Sequence, residues 1–193
     1  MQLTILDYGA GNIQSVQFAL ERLGITAKLS NNKEEILSSD KVIFPGVGQA
    51  HQAMKQLRTT GLDVLIPELK QDVLGICLGM QLLCNTTEEG NTIALGVFDV
   101  DVKRFEDDLK VPHMGWNLIK DLKSDLFKEI ESPAYMYAVN SYYAPKCDLT
   151  IATTNYGIDF SSALQKDNFY GVQFHPEKSS RDGAMLLENF LKL

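Results

Sequence analysis

Cysteine and histidine are both scarce in this chain, three of each in 193 residues. Cys77, Cys84 and Cys147 are odd in number and form no C-x-x-C, which excludes a disulfide framework and a paired-thiol redox motif. His51, His113 and His175 stand far apart, with no second His or Cys at ligand spacing, so neither a metal nor any other cofactor is expected. Positive charge is short as well: 18 Lys and Arg against 25 Asp and Glu leave a net charge of −7. Clustered cations are what a nucleic-acid backbone requires, and their lack argues against such a partner. No apolar run approaches the roughly 18 residues of a membrane span. The opening MQLTILDYGAGN also lacks the basic stretch and long apolar segment of a secretory signal. A cytoplasmic protein without membrane attachment is expected.

What is present is ordinary globular material, 45% hydrophobic and 22% charged, in a length that suits one domain over residues 1–193. Apolar runs at 3–6, 26–30, 41–44 and 73–76 read as strands, with helical patterns between them. Ile13, Val16, Leu20 and Leu23 share one helix face, between Asn12 as N-cap and Gly24 as stop. Further helices are expected around 49–57 and 62–70, and from about Gly79, a helix that would also carry Cys84. This alternation predicts an α/β fold with a central, mostly parallel sheet flanked by helices. After about residue 92 the pattern changes. Strand-like runs at 97–105, 134–139, 149–154 and 168–174 predict a smaller antiparallel or mixed sheet in the C-terminal half, and a helix from about Ser180 closes the chain.

Gly9-Ala10-Gly11 after the first strand resembles the start of a dinucleotide fingerprint, but its third glycine would fall on Gln14 and no acidic residue ends the second strand. A tight strand-to-helix turn explains these glycines better. Similar turns are expected at 45–48 and 75–79, all at the carboxyl edge of the sheet, where open α/β folds gather ligands. Cys77 occupies the last of them, in Gly75-Ile76-Cys77-Leu78-Gly79, a G-x-C-x-G form of the nucleophile elbow. A lone cysteine usually fills core, and Cys84 and Cys147 are read that way. Cys77 is set apart by Gly171-Val172-Gln173-Phe174-His175-Pro176-Glu177. On extended backbone His175 and Glu177, two residues apart, would point to one side, as a base and the carboxylate that orients it. The backbone N–H of Leu78 is one candidate oxyanion donor, and a peptide in Pro45-Gly46-Val47-Gly48, freed by Gly46 to present the Val47 N–H, is the other.

These motifs resemble the class I (triad) glutamine amidotransferases. Asp7-Tyr8-Gly9-Ala10-Gly11-Asn12 and Pro112-His113-Met114-Gly115-Trp116-Asn117 narrow the resemblance to the branch of glutaminase subunits that serve imidazole glycerol phosphate synthase in histidine biosynthesis. The resemblance spans essentially the whole chain. It implies hydrolysis of L-glutamine through a thioester on Cys77, with His175 as base and acid and Glu177 orienting it. It implies substrate contacts at Gln81, Glu89, Gly48, Ser141 and Tyr142. It also implies a heterodimer with a (β/α)8-barrel cyclase subunit, which receives the ammonia and makes imidazole glycerol phosphate and AICAR. Trp116, Lys178 and Asn12 are the candidate interface residues. Two departures stand out: Asn140 replaces a histidine common in the family, and Val97-Phe98-Asp99-Val100 is an unusual form of its segment. Two other readings stay open: a glutaminase for another synthase (pyridoxal phosphate or anthranilate), and a non-catalytic thiol-sensing α/β module.

Overall fold

Short apolar runs that end in turns build the parallel half of one sheet. In the computed structural model, which describes all residues except 10, 11, 107 and 108, these are β1 (Leu3–Leu6), β2 (Lys28–Ser30), β3 (Lys41–Gly46) and β4 (Asp72–Cys77). They lie side by side in the order β2-β1-β3-β4, all parallel. The intervening helices are α1 (Ile13–Arg22), α2 (Lys33–Leu37), α3 (Ala50–Thr60), α4 (Leu62–Leu65) and α5 (Leu78–Leu83). β1 and β3 are buried along their whole length because helices cover both faces. On one face Phe44 packs with Met54 and Leu57 of α3 and with Leu78, Leu82 and Leu83 of α5. On the other, Leu74 and Ile76 meet Val16 and Leu20 of α1. α1 ends as expected: Gly24 takes a φ of +77°, and its N–H donates to the Glu21 carbonyl at 2.9 Å.

The remaining strands are β5 (Cys84–Thr87), β6 (Thr92–Ile93), β7 (Phe98–Arg104), β8 (His113–Lys120), β9 (Ala134–Asn140), β10 (Tyr142–Pro145), β11 (Thr150–Tyr156), β12 (Ile158–Lys166) and β13 (Phe169–Val172), and α6 (Ser180–Lys192) closes the chain. β13 pairs parallel with β4 and antiparallel with β12, so the two halves form one continuous hydrogen-bonded sheet. Beyond β12 the order is β10-β7-β5-β6, while β11 branches from β12 and leads through β8 to β9. The α/β architecture and the change of character after residue 92 are as the sequence indicates.

Several local expectations are corrected. β3 runs on through Pro45 and Gly46, because Pro45 pairs with Ile76 and Gly46 with Cys77. Cys84 opens β5 rather than continuing a helix, since α5 stops after six residues at Leu83. β13 stops at Val172, short of Phe174. The turn at 9–12 lies partly outside the described residues, at 10 and 11. Among the described residues, no helix is long and apolar enough to cross a membrane.

Candidate active site

α5 begins at Leu78, one residue beyond β4, so the chain must reverse at Cys77 itself. It does so with φ +55° and ψ −110°, a state that residues with side chains avoid and that surrounding packing has to enforce. The packing is tight because three glycines allow it. A Cβ at Gly46 would lie 2.6 Å from the Gly79 nitrogen, and one at Gly75 would lie 2.9 Å from the Met80 nitrogen. At Gly79 it would overlap the Phe44 carbonyl oxygen outright. The expected elbow is therefore present, with its cysteine 8% exposed.

Cys77 faces an open cavity of about 320 Å³ at the carboxyl edge of the parallel strands. Its wall brings together ten of the residues singled out in the sequence: Val47, Gly48, Cys77, Leu78, Gln81, Glu89, Ser141, Tyr142, His175 and Lys178. The other four lie elsewhere. Gly46 is buried inside β3, where its missing side chain makes room for α5. Glu177 sits behind His175. Asn12 is half-buried at the N-cap position of α1, as expected, but its side chain makes no cap bond. Trp116 lies on β8, 52% exposed and edge-on to Tyr137 at 6.2 Å.

His175 is fixed on several sides. Its N–H donates to the Tyr137 carbonyl at 2.8 Å, and its carbonyl accepts from the Ser179 hydroxyl at 2.6 Å. Its Nδ1 meets Glu177 Oε1 at 2.8 Å. The pair forms differently from the expectation: Pro176–Lys178 is a 3-10 turn, and this turn, rather than extended backbone, folds Glu177 back onto the ring. Burial alone pushes the imidazole pKa down. Hydrogen bonds to Cys77 and Glu177, together with their charges, outweigh burial and raise it from 6.5 to about 10. An imidazolium so held can pair with a thiolate and can also release its proton to a leaving group.

A second layer of polar contacts stands around the cavity. Tyr8, buried under β3, donates its hydroxyl to the Pro45 carbonyl at 2.8 Å, anchoring the strand just before Val47. Burial first, and then the neighbouring Cys77 charge, push the Tyr8 pKa upward. Glu89 Oε2 accepts the Ala50 N–H at 2.8 Å, so this carboxylate caps α3 as well as lining the cavity. Gln81 Nε2 donates to the Tyr142 carbonyl at 3.1 Å and to Gln173 Oε1 at 2.8 Å, while Gln173 Nε2 reaches Cys77 Sγ at 3.8 Å. Asn140 Nδ2 donates to the same Tyr142 carbonyl at 2.9 Å, and its Oδ1 faces His113 Nδ1 at 3.2 Å. Sequence reasoning gave no role to Tyr8, Gln173 or His113. The one available signal was Gln173, a polar residue between two apolar ones at the end of a buried strand.

A thiol at a strained elbow, an imidazole beside it and a carboxylate behind the imidazole can carry acyl transfer by the nucleophile–base–orienter scheme. The chain is similar to known proteins along its whole length. Residues 4–193 match the family model for glutamine amidotransferase class-I. The chain is 54% identical to the imidazole glycerol phosphate synthase subunit HisH of Bacteroides fragilis, with all of both chains aligned. It is 49% identical to the protein of that name from Escherichia coli, again over 100% of each. Among solved structures, a glutamine amidotransferase superposes with a TM-score of 0.78 at 20% identity, covering 100% of this chain and 98% of that one. PurLQS from Thermotoga maritima gives 0.76 at 16% identity, covering 99% and 97%.

Proposed function

This chain belongs to the class-I glutamine amidotransferase family, and we propose that it is the glutaminase subunit of an imidazole glycerol phosphate synthase, with Cys77, His175 and Glu177 as its catalytic triad. The observation that carries the chemistry is the His175 Nδ1–Glu177 Oε1 pair at 2.8 Å, set behind an imidazole that shares the cavity wall with a strained Cys77. The choice of synthase rests on full-length identities of 49% and 54% to subunits of that name.

In this mechanism His175 takes the thiol proton and Cys77 attacks the side-chain amide carbon of glutamine. The Leu78 and Val47 N–H groups receive the oxyanion. The tetrahedral adduct collapses as His175 passes its proton to the departing ammonia, leaving a thioester on Cys77. Water, deprotonated by His175, then attacks the thioester, which releases glutamate and restores the thiol. Glu177 holds one ring nitrogen throughout, so the other stays directed at the sulfur. Gln81, Glu89, Gly48, Ser141 and Tyr142 bind the substrate, with the Glu89 carboxylate near its ammonium group.

The ammonia passes to a cyclase subunit, a (β/α)8 barrel in a heterodimer. Trp116, exposed on β8, is the docking anchor. Lys178, which lines the cavity, and Asn12 relay partner occupancy to the site. Glutamine hydrolysis measured for the chain alone, with the cyclase, and with cyclase plus acceptor tests this reading. Little turnover alone and a strong rise in the last arm are expected. Full turnover by the single chain contradicts the partner dependence.

A further inference from the structure

The Tyr142 carbonyl sets the orientation of every amide around the nucleophile. A carbonyl oxygen can only accept, so the group of Gln81 that lies 3.1 Å away must be its NH2. That nitrogen's second hydrogen meets an oxygen of Gln173 at 2.8 Å. Gln173 is 1% exposed and has no freedom to turn without placing two like groups together, so its own NH2 faces the sulfur at 3.8 Å. The donors therefore diverge from Gln81: one N–H goes to the fixed Tyr142 carbonyl and the other to Gln173, whose own NH2 is thereby aimed at Cys77.

Besides the His175 imidazole, the sulfur has two polar neighbours of opposite kind. The Val139 carbonyl, 3.8 Å away, suits the thiol, which can donate to it. The Gln173 amide suits the thiolate, which accepts. A second consequence falls on Gln81. With both of its N–H groups used inside the protein, only its carbonyl oxygen is left to offer a ligand, and that atom accepts from ammonium or amide N–H but repels carboxylate.

We propose that Gln173 is a positioning residue for glutamine hydrolysis: it holds a donor on the Cys77 sulfur and locks Gln81 with its acceptor toward the cavity. This rests on the reading of Cys77 as the nucleophile, and the two can be judged apart. Two variants separate the two tasks. Gln173→Met removes both the donor and the acceptor at nearly the same length. Gln173→Glu keeps an oxygen for Gln81 and loses the donor to sulfur.

The test is the rate of iodoacetamide alkylation of Cys77 across pH, read by mass spectrometry of the Cys77 peptide so that Cys84 and Cys147 do not interfere. Thermal unfolding is measured alongside, and KM for glutamine is measured in the complex with the cyclase. Both variants are expected to move the alkylation midpoint upward by about one pH unit or more, because the thiolate loses its donor. Gln173→Met is expected also to raise KM about tenfold as Gln81 comes free to turn, whereas Gln173→Glu leaves KM nearly unchanged. An unmoved midpoint in folded variants overturns the proposal. Should both fail to fold, Gln81→Met, which releases Gln173 without touching the sulfur, has to reproduce the upward shift or the proposal falls. The alkylation readout concerns the thiol rather than turnover. A negative result therefore leaves the glutaminase reading standing, and a shifted midpoint with unchanged turnover strikes that reading instead.

Discussion

His175 and His113 are equally buried, each 4% exposed, at the two ends of the polar structure around the cavity, yet they titrate in opposite directions. At the elbow, His175 faces Cys77 and the Glu177 carboxylate, and its pKa rises to about 10. In the β8–β9 ribbon, burial lowers the pKa of His113, and the hydrogen bond it donates to the neutral Asn140 amide oxygen only partly opposes this. Partners, not burial, decide which histidine carries charge. The two regions differ in the same way in their apolar residues. Around the elbow nearly everything is enclosed, and glycines at 46, 75 and 79 let backbones touch. On the ribbon apolar residues face both ways. Met114, Trp116, Leu118 and Tyr135 point outward, and His113 and Asn140 point in. Since Leu118 pairs with Tyr135 and Trp116 with Tyr137, the outward residues form one apolar face, the surface proposed for the partner.

The contrast can be broken most forcefully by pH. His175 has a folded pKa raised from 6.5 to about 10, so its stabilisation is complete below pH 6.5 and lost as pH rises toward 10. His113 has a lowered folded pKa, so its contribution is complete above pH 6.5 and is lost as pH falls below that. Urea midpoints across this range should show wild type losing a few kcal/mol on the alkaline side, a slope that His175→Gln flattens. His113→Gln should flatten the acid side alone. Equal effects of both variants on both sides would remove the distinction.

Substitutions in the two regions extend the comparison. Gly79→Ala forces a methyl group onto the Phe44 carbonyl, and a loss of about 3 kcal/mol in stability is expected from urea unfolding. Trp116→Ala should change stability by less than about 0.5 kcal/mol. Its association with the cyclase should weaken by about 2 kcal/mol, roughly 30-fold, in a titration. If association is unchanged, the docking role is wrong.

In the parallel half β1, β3 and β4 were legible because they are buried on both faces and read as apolar runs. β8 was not, since its outward apolar and inward polar residues reverse the usual pattern. β12 carries Ser161 and Ser162 into the core, which broke its apolar run. α2 is only five residues long, too short to show a period. At the site, Cys77, His175 and Glu177 stood out by residue type and order, although the turn that joins the last two did not. Gln173 and Tyr8 escaped notice because each acts on an atom distant in sequence: the Cys77 sulfur 96 residues away, and the Pro45 carbonyl 37 away.

The most direct measurement compares Cys77→Ala with wild type in the complete synthase, with either glutamine or ammonium salt as nitrogen source. Glutamine-dependent synthesis should vanish while ammonia-dependent synthesis continues unchanged, since only the elbow has been altered. Retained glutamine-dependent synthesis would contradict Cys77 as the nucleophile.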